Sequence, residues 1–167
     1  MDNKFIFVTG FFGAPIEKVA RETAEAQHMG FVSLDDEIRK SDGRSVKRIC
    51  MTMGEHEYRN KEYEALTKLL EGALPAVVAC SDGVLYDDMS RELISKHGLI
   101  IAGAEMSREQ LWENALLCDD TCHAFMYFGS DEQKRKTHID NNGGRHGLQI
   151  RRSQTGRQDN GHGRDNT

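Results

Sequence analysis

Phe5-Ile6-Phe7-Val8-Thr9-Gly10-Phe11-Phe12-Gly13-Ala14-Pro15-Ile16-Glu17 is the stretch that decides the fold. Its first five residues form a short, nearly continuous apolar run ending at a glycine, the pattern of a central parallel strand covered on both faces. Past the loop, Ile16, Val19, Ala20 and Thr23 recur at helical spacing, and Gly30 stands where a left-handed cap would end that helix. A strand, a loop and a crossover helix therefore open the chain.

The alternation continues outward from there. Phe31 to Leu34 reads as a second strand. Val46, Ile49, Cys50 and Met53 mark a short helix closed by Gly54, and Tyr58, Leu66, Leu69 and Leu70 mark a longer one. Ala76 to Cys80 is another buried-type strand, followed by the loop Ser81-Asp82-Gly83, a helix carrying Met89, Leu93 and Ile94, and a further strand at Leu99 to Ala102. Ser107 with Gln110, and Ser130 with Gln133, have the spacing of capping boxes and predict two more helix starts. Strands alternating with helices in this way predict a three-layer α/β/α parallel sheet, whose ligands gather beyond the carboxyl ends of the strands. Met51, Met53 and Met89 are expected in the core.

The bulk properties narrow the function classes. A chain of 167 residues, 38% apolar and 29% charged, has room for one ordinary domain, placed here at residues 1–140. No stretch approaches a membrane span and the N-terminus is unlike a signal peptide, so the expectation is a cytoplasmic monomer with no membrane partner. Cys50, Cys80, Cys118 and Cys122 show neither a paired framework nor metal-type spacing, and no metal site is assigned. Residues 141–167 hold five Arg against two Asp, a net of +3, which leaves −8 on residues 1–140 within the whole-chain −5. An acidic domain argues against nucleic acid. The same 27 residues contain only Leu148 and Ile150 as large apolar side chains and are expected to be a disordered tail.

A strand running into a glycine-bearing loop and then a helix is where nucleotide kinases hold phosphate. Against Gly-x4-Gly-Lys-Ser/Thr, Gly10 matches, whereas Pro15 replaces the second glycine, Ile16 the lysine and Glu17 the magnesium hydroxyl. Pro15 removes a backbone donor, and the pair Ile16 and Glu17 changes the site by two units of charge. Each unit is worth on the order of 4 kcal/mol at about 4 Å and an effective dielectric near 20, before screening. Two readings of the loop stand side by side: a helix start with proline at its first position and glutamate in its first turn, or residual nucleotide binding through Gly10, Gly13 and Ala14.

Taken together, these segments resemble the shikimate kinases of the P-loop kinase superfamily over about residues 4 to 117, with a degenerate Walker A loop. Phe31-Val32-Ser33-Leu34-Asp35 lies on the family's Asp-x-Asp stretch, with Ser33 in place of the magnesium-serving Asp and Asp35 on the one that serves the substrate hydroxyls. Gly54-Glu55-His56-Glu57-Tyr58-Arg59-Asn60-Lys61-Glu62 follows the family's Gly-Glu-x-x-Phe-Arg-x-x-Glu, with Tyr58 for Phe. Arg59 falls on the arginine that holds the shikimate carboxylate. Val77 to Gly83 lies on the Val-x-Ala-Thr-Gly-Gly-Gly segment, with Ser81 and Asp82 for two glycines and Gly83 retained. The family's arginine-bearing lid has no counterpart in Cys118-Asp119-Asp120-Thr121-Cys122, so a charge that would stabilise the transferring phosphoryl group is missing.

The resemblance implies Asp35 as the catalytic carboxylate, Arg59 and Gly83 at the substrate, Gly10, Gly13 and Ala14 at the nucleotide, and ATP with magnesium as cofactors of an active enzyme. Residue chemistry alone also allows Asp35 as a turn or capping carboxylate, and Arg59 as a solvated charge paired with Glu55 or Glu62. The expectation is a shikimate kinase-like protein with lost or impaired phosphotransfer and a retained pocket for a small carboxylate metabolite. The alternative is an active enzyme phosphorylating a hydroxyl of such a metabolite. The family's closing strand and helix have no counterpart after Asp140, which makes residues 1–140 C-terminally incomplete. Codons for Ile150-Arg151-Arg152, read one nucleotide forward, can spell Tyr-Ala-Asp, so a frame-shifted end is a hypothesis that the coding DNA decides.

Overall fold

In the computed structural model, which describes residues 4–72 and 74–143, four parallel strands lie in the order β2-β3-β1-β4. They are β1 (Phe5–Gly10), β2 (Gly30–Ser33), β3 (Ala76–Ala79) and β4 (Gly98–Ala102). The helices are α1 (Ile16–Ala26), α2 (Leu34–Asp42), α3 (Val46–Met53), α4 (Glu55–Leu70), α5 (Asp88–Ser95), α6 (Arg108–Ala115) and α7 (Asp131–Gly143). The proposed tail lies outside the described residues from 144 onward, as does the frame-shift hypothesis, and α7 runs three residues past the boundary set at 140.

Strand side chains alternate between faces, and the core divides accordingly. Phe5, Phe7 and Val78 pack with Leu34, Leu66 and Ile94 on one side of the sheet. Val8, Val77 and Ala79 pack with Ala20 and Ala24 of α1 on the other. Each fully buried large apolar side chain of this kind contributes roughly 1.5–3 kcal/mol, and truncating the wholly buried Phe7 to Ala is a change of the class that costs about 3–5 kcal/mol. A sheet buried on both faces is the reason its strands read as unbroken apolar runs.

Three local expectations need correction. Gly30 opens β2 rather than ending α1. That helix ends in a Schellman turn: His28 takes the left-handed conformation at φ 54°, with Met29 N–H bonded to Ala24 O and His28 N–H to Glu25 O. Leu34 begins a helix, α2, that the apolar pattern did not announce; Ser33 caps it by accepting from Asp36 N–H. Met51, Met53 and Met89 are exposed rather than core. Gly54 closes α3 as expected, and both capping boxes form, at Ser107 with Gln110 and at Ser130 with Gln133.

Candidate active site

Register fixes where chemistry can sit. Val8 and Ser33 both pair with Ala79, so β2 and β3 end level and β1 runs two residues past them to Gly10, beside Ala102 of β4. Thr9 Oγ1 donates to Ser81 O at 2.7 Å and ties the β1 end to the loop after β3. Beyond these ends lies a cavity of about 450 Å³ lined by the β1 loop, Asp35, Tyr58, Ser81, Asp82 and the segment 117–122. Gly13, Ala14 and Asp35 line it directly, whereas Arg59 stands behind Ser81 and Cys122, which are both in its wall.

On the α4 side, the helical spacing of residues 55, 58, 59 and 62 gathers their side chains into one cluster. Arg59 is buried and donates through Nη1 to Glu62 Oε1 (2.9 Å) and Ser81 Oγ (2.8 Å), and through Nη2 to Glu55 Oε1 (3.0 Å) and Cys122 Sγ (3.5 Å). Pairing with Glu55 and Glu62 was an expectation, but solvation was not the outcome: Glu62 is 0% exposed. Burial opposes the Arg59 charge and the Glu62 carboxylate restores it, so the group stays cationic. A Cβ at Gly83 would stand 2.2 Å from Arg59 Nη2, so the small residue there is what lets the guanidinium lie against the loop.

Asp35, in the first turn of α2, accepts from Tyr58 Oη at 2.6 Å. Burial lifts its pKa to about 6; the Tyr58 hydrogen bond works downward and the Glu62 charge upward. Asp35 is therefore neither a solvated turn residue nor a helix cap; Ser33 has the capping role. Tyr58 and Ser81 are the members of this cluster to which the sequence reading gave no role, although the i, i+4 spacing of Tyr58 and Glu62 was available as a signal.

The β1 loop is arranged differently. Ala14 N–H is bonded to Phe11 O and Ile16 N–H to Ala14 O, so two amides at the helix start already have partners within the loop. Gly10 and Gly13 are needed for packing: a Cβ would meet Ala102 O at 2.4 Å in the first case and Leu111 O at 1.9 Å in the second. The carboxylates of Glu17 and Asp82 are both answered. Glu17 pairs with Arg21 at 2.9 Å, and Asp82 pairs with His123 Nε2 at 2.7 Å. Burial alone would lower the His123 pKa, but Asp82 more than offsets it, and Phe12 stacks on the ring at 4.4 Å. The segment 118–123 is further clasped by Asp120, which accepts from Arg39 of α2 and from Lys47 N–H of α3.

A parallel sheet with helices on both faces and a pocket at the carboxyl ends of its strands defines an α/β protein of the P-loop kinase type. The model of the shikimate kinase family matches residues 17–115, more than half of the chain, and the chain belongs to that family. The match includes Asp35, Arg59 and Gly83 and begins at Glu17. A bifunctional shikimate kinase/3-dehydroquinate synthase of Thermotoga maritima is 37% identical over 91 residues, covering 54% of this chain and 18% of that protein. The shikimate kinase of Chlorobium limicola is 33% identical over 99 residues, 59% of this chain and 49% of that one. The chain thus spans about half the length of the single-function relatives it matches. A shikimate kinase from Acinetobacter baumannii in complex with shikimate superposes with a TM-score of 0.72 at 21% identity, over 89% of this chain and 79% of that one. The Bacteroides thetaiotaomicron shikimate kinase gives 0.70 at 18%, over 83% and 77%. Among the described residues no helix is long and apolar enough to cross a membrane.

Proposed function

We propose that this chain takes up a small hydroxylated carboxylate of the shikimate type and phosphorylates its hydroxyl with ATP and magnesium. The observation that carries the reading is the Asp35–Tyr58–Glu62–Arg59 cluster, which sets a carboxylate at the cavity wall and a guanidinium just behind it within the stretch matched to the family. Asp35 would orient the acceptor hydroxyl and receive its proton, a role suited to a carboxyl with a pKa of about 6. Arg59 would hold the acceptor carboxylate by exchanging its half-exposed partner Glu55 for the ligand, with Glu62 and Ser81 keeping the guanidinium in place. Gly83 would allow the ligand the same close approach it allows Arg59. Gly10, Gly13 and Ala14 would border the donor phosphates. Magnesium would be held chiefly by the nucleotide phosphates, because Ser33 and Glu17 stand at the two metal-serving positions; what the ion supplies is neutralisation of phosphoryl charge. A cytoplasmic monomer goes with this reading.

A second reading, in which the acceptor binds and transfer is lost, is favoured by the β1 loop, where Ile16 carries no charge and the Ala14 and Ile16 amides are occupied. Incubation of the full chain with shikimate, ATP and magnesium, followed by mass spectrometry of the small molecules, separates the two. Phosphorylated shikimate supports the first. Shikimate binding in calorimetry without product supports the second, and neither binding nor product contradicts both.

A further inference from the structure

Tyr58 is fully buried and its hydroxyl lies between two carboxylates, 2.6 Å from Asp35 Oδ1 and 3.4 Å from Glu62 Oε2. A phenol has one proton to donate, so it serves one of them at a time. Glu62 has other donors, Arg59 Nη1 at Oε1 and Ser81 Oγ at Oε2 (2.6 Å). Among the described residues the hydrogen-bond donor to Asp35 is Tyr58. The short contact to Asp35 is therefore the one that forms while Asp35 is ionised.

We propose that Tyr58 is a positioning residue of the acceptor site and a two-way relay, donating to ionised Asp35 and turning its hydroxyl to Glu62 once Asp35 has taken a proton. In that step the acceptor O–H bond breaks and leaves its electron pair on the acceptor oxygen. The proton forms an O–H bond on Asp35, which then donates to Tyr58 Oη. The Tyr58 O–H bond stays intact and rotates to Glu62 Oε2, a contact of 3.4 Å that shortens as the hydroxyl turns away from Asp35. Asp35 is faced by Tyr58 and Glu62 from α4, Arg39 from its own helix, Asp120 from the segment after α6 and the Cys80 thiol at the end of β3. Of these, Tyr58 and Arg39 favour the ionised form, and Glu62 and Asp120 oppose it.

This inference rests on Asp35 facing the acceptor hydroxyl, but it is measured without substrate, so a failure of transfer leaves it standing. The test is a ¹³C NMR titration of the full chain from about pH 3 to 9, following the Asp35 carboxyl and Tyr58 Cζ. In the wild type both resonances move with one midpoint at about 6. In Tyr58→Phe the Asp35 midpoint rises by roughly one unit, a tenfold change in proton affinity. An Asp35 midpoint that stays put in folded Tyr58→Phe overturns the proposal. So does a Tyr58 Cζ resonance that is flat through the wild-type Asp35 titration, which decides the matter even if the variant does not fold.

Discussion

The acceptor side of the pocket and its donor side follow opposite logic. Around α4, each ionic group is tied to its neighbours: Arg59 has four partners, Glu62 is wholly buried between Arg59 and Ser81, and Asp35 is held by Tyr58. At the β1 loop Glu17 pairs with Arg21 and Ala14 N–H with Phe11 O, and in the loop after β3 Asp82 pairs with His123. One wall of the pocket is thus a buried ionic cluster, and another is a turn whose Ala14 and Ile16 amides bond within it. Burial separates the Arg59–Glu62 pair, whose members are costly to remove singly, from the exposed Glu17–Arg21 pair, which can be exchanged at little cost to the fold.

The sharpest way to break this contrast is Arg59→Met. It leaves Glu62 buried beside Ser81 with no cation, and the expected loss of stability is about 3–5 kcal/mol in urea denaturation. A loss under about 1 kcal/mol would mean that the cluster behaves like a surface pair. The triple change Pro15→Gly, Ile16→Lys and Glu17→Ser gives the loop the full Gly-x4-Gly-Lys-Ser/Thr pattern. Because Glu17 is exposed and already paired with Arg21, most of the gain comes from the lysine. Calorimetry should show ATP affinity rising by roughly a hundredfold, about 3 kcal/mol after screening, with shikimate binding unchanged.

Asp35→Asn has a smaller effect, and its sign depends on pH. The folded-state pKa of Asp35 is raised, so its contribution is most favourable below the unfolded value near 4 and is lost as pH rises through about 6. The variant is expected to be more stable than the wild type at pH 7 by roughly 1–2 kcal/mol, allowing for partial solvent access through the cavity. At about pH 4 the difference should fall close to zero. Phosphoryl transfer, if measured alongside, should rise in the wild type as pH climbs through about 6 and be lost in the variant. Equal stability at both pH values would show that Asp35 is not strained by burial.

Much of the fold was legible because two-faced burial writes itself into sequence. The runs at Phe5 to Thr9 and Ala76 to Cys80 are apolar on both faces since helices cover both sides of the sheet. Helix α2 was not legible: Leu34 and Ile38 are its buried residues, too few beside Asp35, Asp36 and Glu37 to raise a helical period. The end of α1 was misplaced because His28, not the nearby glycine, takes the left-handed position. Within the site, Asp35 could be read from motif spacing, and Arg59 with its partners Glu55 and Glu62 from spacing along α4, but the partners from other elements could not. Ser81 reaches Glu62 and Arg59 only because β3 finishes beside α4, and Asp82 meets His123 across 41 residues of chain. The charge counted at Glu17 made the β1 loop more repulsive than it is, because Arg21 answers it.

The most direct test is paired calorimetry on one preparation of the full chain, shikimate in one cell and ATP with magnesium in the other. A saturable shikimate isotherm together with a weaker but saturable ATP isotherm is the predicted result. Micromolar ATP binding with no heat from shikimate would contradict it, since the half of the pocket held together by Arg59 and Glu62 would then be the half that fails.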